Sequence, residues 1–414
     1  MAEPIAEYNS SETKLSPQRA LSPAQEALVR RITTFCENHE RDSHAVLVIH
    51  GDAGTGKSLV LNKAFAVLQQ AARAKGATGP LAGTRNVFLV NHPEMIKLYR
   101  NIAESSPTLR KKDYERPTTF INHMDKAGQR ADIVFVDEAH LLLSRADRYN
   151  RFTQDNQLRE IIRLSRVVVL VFDPRQVLKF KSYWDDQRLA QILGPVPHEV
   201  CTLTEQFRVR ARPDMLEWIS AFCHARLLPL PARQDFDFRI YDDAAAMYRD
   251  IRARNATYGL SRMLSTYDYP YTLDGHDHFI EEGAFRLRWD RARPEQRLPW
   301  AERADTIDEV GSVYTVQGFD LNYVGLILGP SVTYDPACGR IVIDPDRYED
   351  GAAFAGRGHL HDPDTVKQQI MLNAINVLMT RGTRGLYLYA SNPALRAALG
   401  VRQPEDATHT ATHA

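Results

Sequence analysis

The chain has 414 residues, 43% of them hydrophobic and 25% charged, a balance that suits two to three soluble globular domains, each with its own core. Lys plus Arg and Asp plus Glu both number 52, so no global basic field attracts nucleic acid and any such binding must come from local patches. The cysteines Cys36, Cys201, Cys223 and Cys338 form no CxxC pair, which excludes a zinc knuckle or disulfide framework and points to a reducing compartment.

Residues 1–20 form a polar tail with no apolar leader, and no later apolar run reaches about 18 residues, so a cytoplasmic protein without membrane contact is expected. Short continuous apolar runs follow at 45–49, 87–90, 133–136 and 167–172, with a fifth at 199–203. Continuity rather than alternation predicts strands buried on both faces. Helical stretches at 58–75 and 156–164 lie between them, so residues 21–205 are predicted to form an α/β domain with a mostly parallel sheet. A domain boundary is expected within 205–235, where the run LLPLPAR lies. Residues 206–400 repeat the rhythm more weakly, with strands predicted at 238–241, 262–266, 323–328 and 386–389 and long loops at 267–306 and 334–364. Residues 401–414 are expected to be a disordered tail.

The first strand runs into Gly51-Asp52-Ala53-Gly54-Thr55-Gly56-Lys57-Ser58 and then a helix, the full GxxxxGK[ST] phosphate loop in its proper context. Glycines let backbone N–H groups turn inward around phosphates, and the helix N-terminus adds its positive end. Lys57 is expected to reach the β and γ phosphates and Ser58 to ligate Mg2+. The run at 133–136 delivers Asp137-Glu138-Ala139-His140 at its carboxyl end, where open α/β sheets bind ligands. Asp137 is expected to hold Mg2+, and Glu138 to orient or deprotonate the attacking water.

The next strand ends in Phe172-Asp173-Pro174-Arg175-Gln176, which is similar to the GDPxQ element of superfamily 1 helicases, with Phe172 in place of the glycine. The segments Thr204-Glu205-Gln206-Phe207-Arg208 and Asn376-Val377-Leu378-Met379-Thr380-Arg381-Gly382 resemble the two that supply arginines to the nucleotide. Such cations stabilise charge developing on a transferring phosphoryl group. The stretch Glu309-Val310-Gly311-Ser312-Val313-Tyr314-Thr315-Val316-Gln317-Gly318-Phe319-Asp320, with Tyr323-Val324-Gly325-Leu326-Ile327-Leu328-Gly329-Pro330, completes the set. In combination, across residues 20–395, these motifs resemble the Schlafen-group (group 3-like) DNA/RNA helicase domain.

That resemblance implies a superfamily 1 fold of two RecA-like P-loop NTPase domains, with helices on both faces of mostly parallel sheets and one shared ATP site. It implies that Gln176 senses the γ-phosphate, that Arg208 and Arg381 act on the nucleotide, and that Thr315, Gln317 and Gly318 couple it to a bound strand. Tyr314 stands where relatives usually carry histidine. Leu21-Ser22-Pro23-Ala24-Gln25 is similar to the adenine-reading glutamine element of these helicases, with Gln25 as the amide, while Ser22-Pro23 also suits an ordinary helix start.

The expected ligands are ATP, Mg2+ and single-stranded DNA or RNA. Relatives are often joined to nuclease domains, so a nuclease or other protein partner would be a separate chain. Basic stretches at 111–116 and 175–181, with Asn91-His92, and the aromatics Tyr269, Tyr271 and Trp289, are candidate strand contacts. An ATPase switch that binds a protein and unwinds nothing is the alternative, in keeping with the even charge balance.

Overall fold

Apolar runs that predict strands pair into two separate sheets. A computed structural model of the chain describes residues 11–51, 54–203, 211–232, 235–272, 276–290, 296, 298–355 and 362–400. Two compact units emerge, one from Met1–Arg208, Pro294–Pro299 and Gly351–Pro363, the other from Val209–Arg293, Trp300–Asp350 and Asp364–Ala414. The chain therefore passes back and forth between units rather than finishing one before starting the next.

In the first unit, α1 (Pro23–His39) precedes β1 (Ala45–Gly51), followed by α2 (Lys57–Arg73), β2 (Asn86–Val90), α3 (Pro93–Glu104) and β3 (Tyr114–Glu115). Then come α4 (Pro117–Ala127), β4 (Ala131–Asp137), α5 (Gln157–Arg163), β5 (Ser165–Phe172), α6 (Asp186–Leu193) and β6 (His198–Leu203). The six strands lie in the order β3-β2-β4-β5-β1-β6, and every pairing is parallel.

Period-2 alternation sends successive side chains to opposite faces. Val46, Val48, Leu89, Val134, Val136, Val168 and Leu170 join one buried cluster with Phe120 and Met124 of α4, Ile161 of α5 and Leu189 of α6. On the other face Phe65 of α2 meets the rings of Phe88 and Phe135 at 5.3 and 5.4 Å, and Tyr99 of α3 lies 4.7 Å from Phe88. Helices thus cover both faces, which is why these strands are apolar throughout. The basic stretch at 111–116 is partly structural, because Arg73 grips its buried Asp113 carboxylate with bonds of 2.6 and 2.9 Å, just before β3.

Two returning residues complete this unit. The Phe180 backbone N–H donates to the Ala353 carbonyl at 2.8 Å, and the buried Phe180 ring lies 5.5 Å from Phe354.

The second unit contains α7 (Pro213–Phe222), β7 (Asp237–Tyr241), α8 (Ala244–Tyr258), β8 (Ser261–Ser265), β9 (Phe279–Glu282), β10 (Phe285–Trp289) and β11 (Glu309–Gly311). After these come α9 (Val313–Val316), β12 (Leu321–Leu328), β13 (Val332–Asp335), β14 (Arg340–Ile343), α10 (Pro363–Met379), β15 (Gly382–Ala390) and α11 (Pro393–Leu399). Its seven-stranded sheet runs β7-β15-β12-β8-β11-β10-β9, and β13 pairs with β14 in a separate hairpin. All pairings in the large sheet are parallel except β9 with β10.

Gly325 in β12 lets α8 approach the sheet, since a Cβ there would fall 2.8 Å from Ile251 Cγ1 and 2.7 Å from Met263 Sδ. The predicted loop 267–306 is largely built structure. Trp289 and Tyr269 are buried in the core with Tyr241 and Ile280, and Tyr271 packs against that cluster, so these aromatics serve packing rather than strand stacking. No described helix is long and apolar enough to cross a membrane.

Candidate nucleotide site

Strand β1 ends at Gly51, and α2 begins six residues later at Lys57. Asp52 and Ala53, two of the expected loop residues, lie outside the described residues. Gly54 and Gly56 hold φ of 91° and 79°, which an L side chain adopts only with strain. A Cβ on Gly51 would fall 2.8 Å from the Leu203 carbonyl oxygen, and one on Gly56 would fall 2.3 Å from Gln25 Nε2. Glycine is thus required at both ends of the loop. Thr55 is fully buried at its centre.

Gln25 reaches this loop as part of a helix cap. The Gln25 N–H donates to Ser22 Oγ at 3.3 Å, the Ser22 N–H donates to Gln25 Oε1 at 3.1 Å, and Gln25 Nε2 donates to the Thr55 carbonyl at 3.4 Å. A capping box at the start of α1 therefore holds the glutamine amide against the phosphate loop. The expected helix start is present, and the side chain that caps it also touches the Thr55 carbonyl.

Lys57 is buried, donates from Nζ to the Gly51 carbonyl at 2.5 Å, and lies 3.8 Å from Asp173 Oδ2. Asp173, at the end of β5, in turn accepts from Gln176 Nε2 at 2.7 Å and from the Arg175 N–H at 3.1 Å. The resemblance gives a role to Gln176 and none to Asp173. The carboxylate is the hub that joins Lys57 to Gln176, and its place between them follows from β5 lying beside β1 in the sheet.

Strand β4 delivers Asp137 and Glu138 on the other side of β5. Asp137 Oδ1 accepts from Ser58 Oγ at 3.1 Å and from the Glu138 N–H at 3.0 Å, while Oδ2 accepts from Tyr99 OH at 2.6 Å. Burial, and next the Glu138 charge, push the Asp137 carboxyl up to about 6 despite those three bonds. A bound divalent cation would reverse that shift. Tyr99 had no sequence signal, because an aromatic on an amphipathic helix reads as core; its phenol is pushed well above its usual range by burial and then by Asp137.

Glu138 has φ 51° and ψ 49°, the left-handed region, which costs a non-glycine residue on the order of 1–3 kcal/mol and tends to occur at functional sites. Its Oε2 lies 3.2 Å from Nε2 of the buried His140. A hydroxyl and a carboxylate, Ser58 and Asp137, are hard oxygen donors of the kind Mg2+ takes when substrate phosphates and water complete its shell. Among the described residues no group of three or more His, Cys, Asp or Glu could hold a metal without such help.

The second unit brings its own predicted residues together. Ser312 caps the short helix α9, accepting from the Tyr314 N–H at 3.2 Å, and Thr315 Oγ1 donates to the Ser312 carbonyl at 2.9 Å. Gln317 is buried, and Gly318 follows with φ 87°. Arg381 is fully buried; its Nε donates to the Val377 carbonyl at 2.8 Å and its Nη1 to the Phe319 carbonyl at 3.2 Å. The Leu321 N–H donates to the Arg381 carbonyl at 3.0 Å, so the Gln317-Gly318 turn and the Arg381 segment form one bonded assembly. Arg208 lies outside the described residues.

Under that turn sits a buried acidic and phenolic cluster. Asp290 bonds Ser312 and Tyr267, and its carboxyl is pushed up to about 7 by burial first. The Tyr314 hydroxyl, in the place of the usual histidine, donates to Asp350 Oδ2.

The profile described as "Schlafen group 3, DNA/RNA helicase domain" matches residues 44–392. The chain belongs to this family. Its match takes in the phosphate loop, the Asp137-Glu138 pair, the Gln317 turn and Arg381, so the Schlafen group 3 helicase domain embraces described site residues of both units. The uncharacterized protein YPL245W of Saccharomyces cerevisiae is 44% identical over 410 residues, 92% of this chain and 90% of the yeast protein. Among solved structures, the Pif1 helicase from Candida albicans aligns with 93% of this chain and 98% of its own, at 10% identity and a TM-score of 0.36. Domain III of the Thermotoga maritima replication initiation protein DnaA aligns with 50% and 70%, at 14% identity and a TM-score of 0.27. At such scores the assignment to the Schlafen group 3 helicase domain rests on the sequence match and not on these structures.

Proposed function

We propose that this helicase-like nucleotide-binding protein hydrolyses ATP and uses the energy to move along single-stranded DNA or RNA, or to unwind a duplex. The observation that carries the reading is the convergence of Lys57, Ser58, Asp137, Glu138 and Asp173 at the ends of β1, β4 and β5. Backbone amides of the glycine loop and Lys57 bind the phosphates, and Gln25 lies where an adenine amide reader would act. Ser58 and Asp137 hold Mg2+, which would neutralise charge on the β and γ phosphates. Glu138 takes a proton from the attacking water or orients it, with His140 holding the carboxylate in place. Gln176, fixed by Asp173, reads the γ-phosphate.

The two units are read as two RecA-like domains, near the expected spans 21–205 and 206–400 except that Pro294–Pro299 and Gly351–Pro363 go with the first. Arg208 and Arg381 of the second would complete charge stabilisation at the terminal phosphate, and Gln317 with Gly318 would pass the change to a bound strand. The contact of Arg381 with the Phe319 carbonyl supports such a coupling, because movement of one pulls on the other.

The deciding experiment is ATP turnover measured against single- and double-stranded DNA and RNA at rising salt. Several-fold stimulation by a single strand, lost steeply as salt increases, is the expected result. Turnover indifferent to every polynucleotide would remove the motor reading. It would leave the second one, an ATPase switch for a protein partner, which the balance of 52 basic and 52 acidic residues favours.

A further inference from the structure

The loop that follows Glu138 and His140 in the first unit carries a feature no motif marks. Residues Asp147 and Phe152 pair as an isolated antiparallel bridge, with the Asp147 N–H donating to the Phe152 carbonyl at 2.8 Å and the Phe152 N–H returning to the Asp147 carbonyl at 3.0 Å. The buried Asp147 carboxylate accepts from the Tyr149 N–H at 3.1 Å and Asn150 Nδ2 at 2.9 Å, and Lys181 Nζ lies 3.3 Å away. Phe152 is wholly buried beside Phe120 and Leu158, and Asn122 Nδ2 donates to the Arg151 carbonyl at 3.3 Å. The loop is therefore short and pinned at its base.

Its tip, Arg148-Tyr149-Asn150-Arg151, is exposed throughout. Tyr149 is 90% exposed, far above any other large hydrophobic side chain among the described residues that stands clear of the core, the next being Val200 at 52%. A lone exposed ring needs no explanation in general. This one stands on a braced turn, between two exposed arginines, and the single carboxylate at the base of the turn is buried and faces Lys181. The chain as a whole is neutral, so an exposed ring with an exposed arginine on each side of it in the tip is a local departure from its charge balance.

The path from this loop to the proposed chemistry is stiff. Leu142 and Leu143 connect it to His140 and are buried; Trp184 Nε1 donates to the Leu142 carbonyl at 2.7 Å, and the Leu143 N–H donates to Gln157 Oε1 at 2.8 Å.

Resting on the motor reading above, we infer that the Arg148–Arg151 tip is a contact for single-stranded nucleic acid, with Tyr149 stacking on a base while Arg148 and Arg151 meet the flanking phosphates. A ring face accepts any base, and guanidinium groups accept any phosphate, so the contact is sequence-tolerant. A duplex hides its base faces, so single strands are preferred.

The test titrates the full-length chain against fluorescent oligo-dT and oligo-rU of twenty nucleotides, by anisotropy. Tyr149→Ala should weaken binding by about tenfold or more, the loss of one stacked base, and Tyr149→Trp should restore it. Arg148→Ala with Arg151→Ala should flatten the dependence of log affinity on log salt by about one for each arginine. All three positions are exposed, and an unchanged thermal unfolding midpoint confirms folding. If the unaltered chain binds these oligonucleotides and Tyr149→Ala binds equally well, the stacking contact is wrong while the motor reading stands. If the unaltered chain binds neither oligonucleotide, the contact and the motor reading fall together.

Discussion

Glu138 shows at the scale of one residue how chemistry overrides backbone preference. Its left-handed φ of 51° turns the carboxylate toward His140 directly after the strand has delivered Asp137. Glu138→Gln keeps the shape and removes the base, so turnover should fall by about 10²–10⁴-fold with nucleotide affinity retained, measured by steady-state hydrolysis and nucleotide titration. Asp290 makes a prediction of another kind. An unfolded aspartate ionises near pH 4, whereas the folded Asp290 carboxyl holds its proton up to about 7. Between those values the folded chain keeps a proton the unfolded chain has lost. Stability therefore declines as pH rises from about 4 to about 7 and is level above, with a slope of at most about 1.4 kcal/mol per pH unit from this group. Asp290→Asn should remove that share of the slope, read from urea midpoints of the second unit across the range. A slope identical in the two proteins would show that Asp290 ionises normally.

Elements differ in how openly the sequence declares them. The strands β1, β2, β4, β5, β12 and β15 are legible because burial on both faces leaves each with an uninterrupted apolar run of four residues or more. Strands β3, β9, β10, β13 and β14 are not, because they are two to five residues long and polar or charged residues break the pattern, as in FIEE and FRLRW. The site divides in the same way. Lys57, Ser58, Asp137 and Glu138 sit in contiguous motifs tied to strand ends, so spacing reveals them. Tyr99 reaches Asp137 from α3, and Asp173 meets Lys57 across a strand pairing, and no local pattern encodes either meeting. The turn from β1 into α2 also makes a prediction. Gly56→Ala combines φ of 79° with a Cβ only 2.3 Å from Gln25 Nε2. Left-handed backbone alone costs about 1–2 kcal/mol, so nucleotide affinity should drop by about tenfold, as measured by calorimetric titration.

At the scale of the whole molecule the proposed mechanism requires the second unit to act on a nucleotide held by the first. Arg381→Ala should then lower turnover per folded molecule by about 10³-fold or more, and unchanged turnover would remove the arginine from the reaction. The winding of the chain has a further consequence. Phe180 of the first unit completes its packing on Phe354 and its backbone bond on Ala353, residues that follow most of the second unit in the sequence. During synthesis the leading portion cannot settle into its final form until the segment carrying Ala353 and Phe354 has also left the ribosome. Severing the polypeptide after residue 208 should accordingly yield a fragment with bare apolar surface at Phe180, prone to aggregate, and supplying the remainder as a separate piece would be needed to quench it.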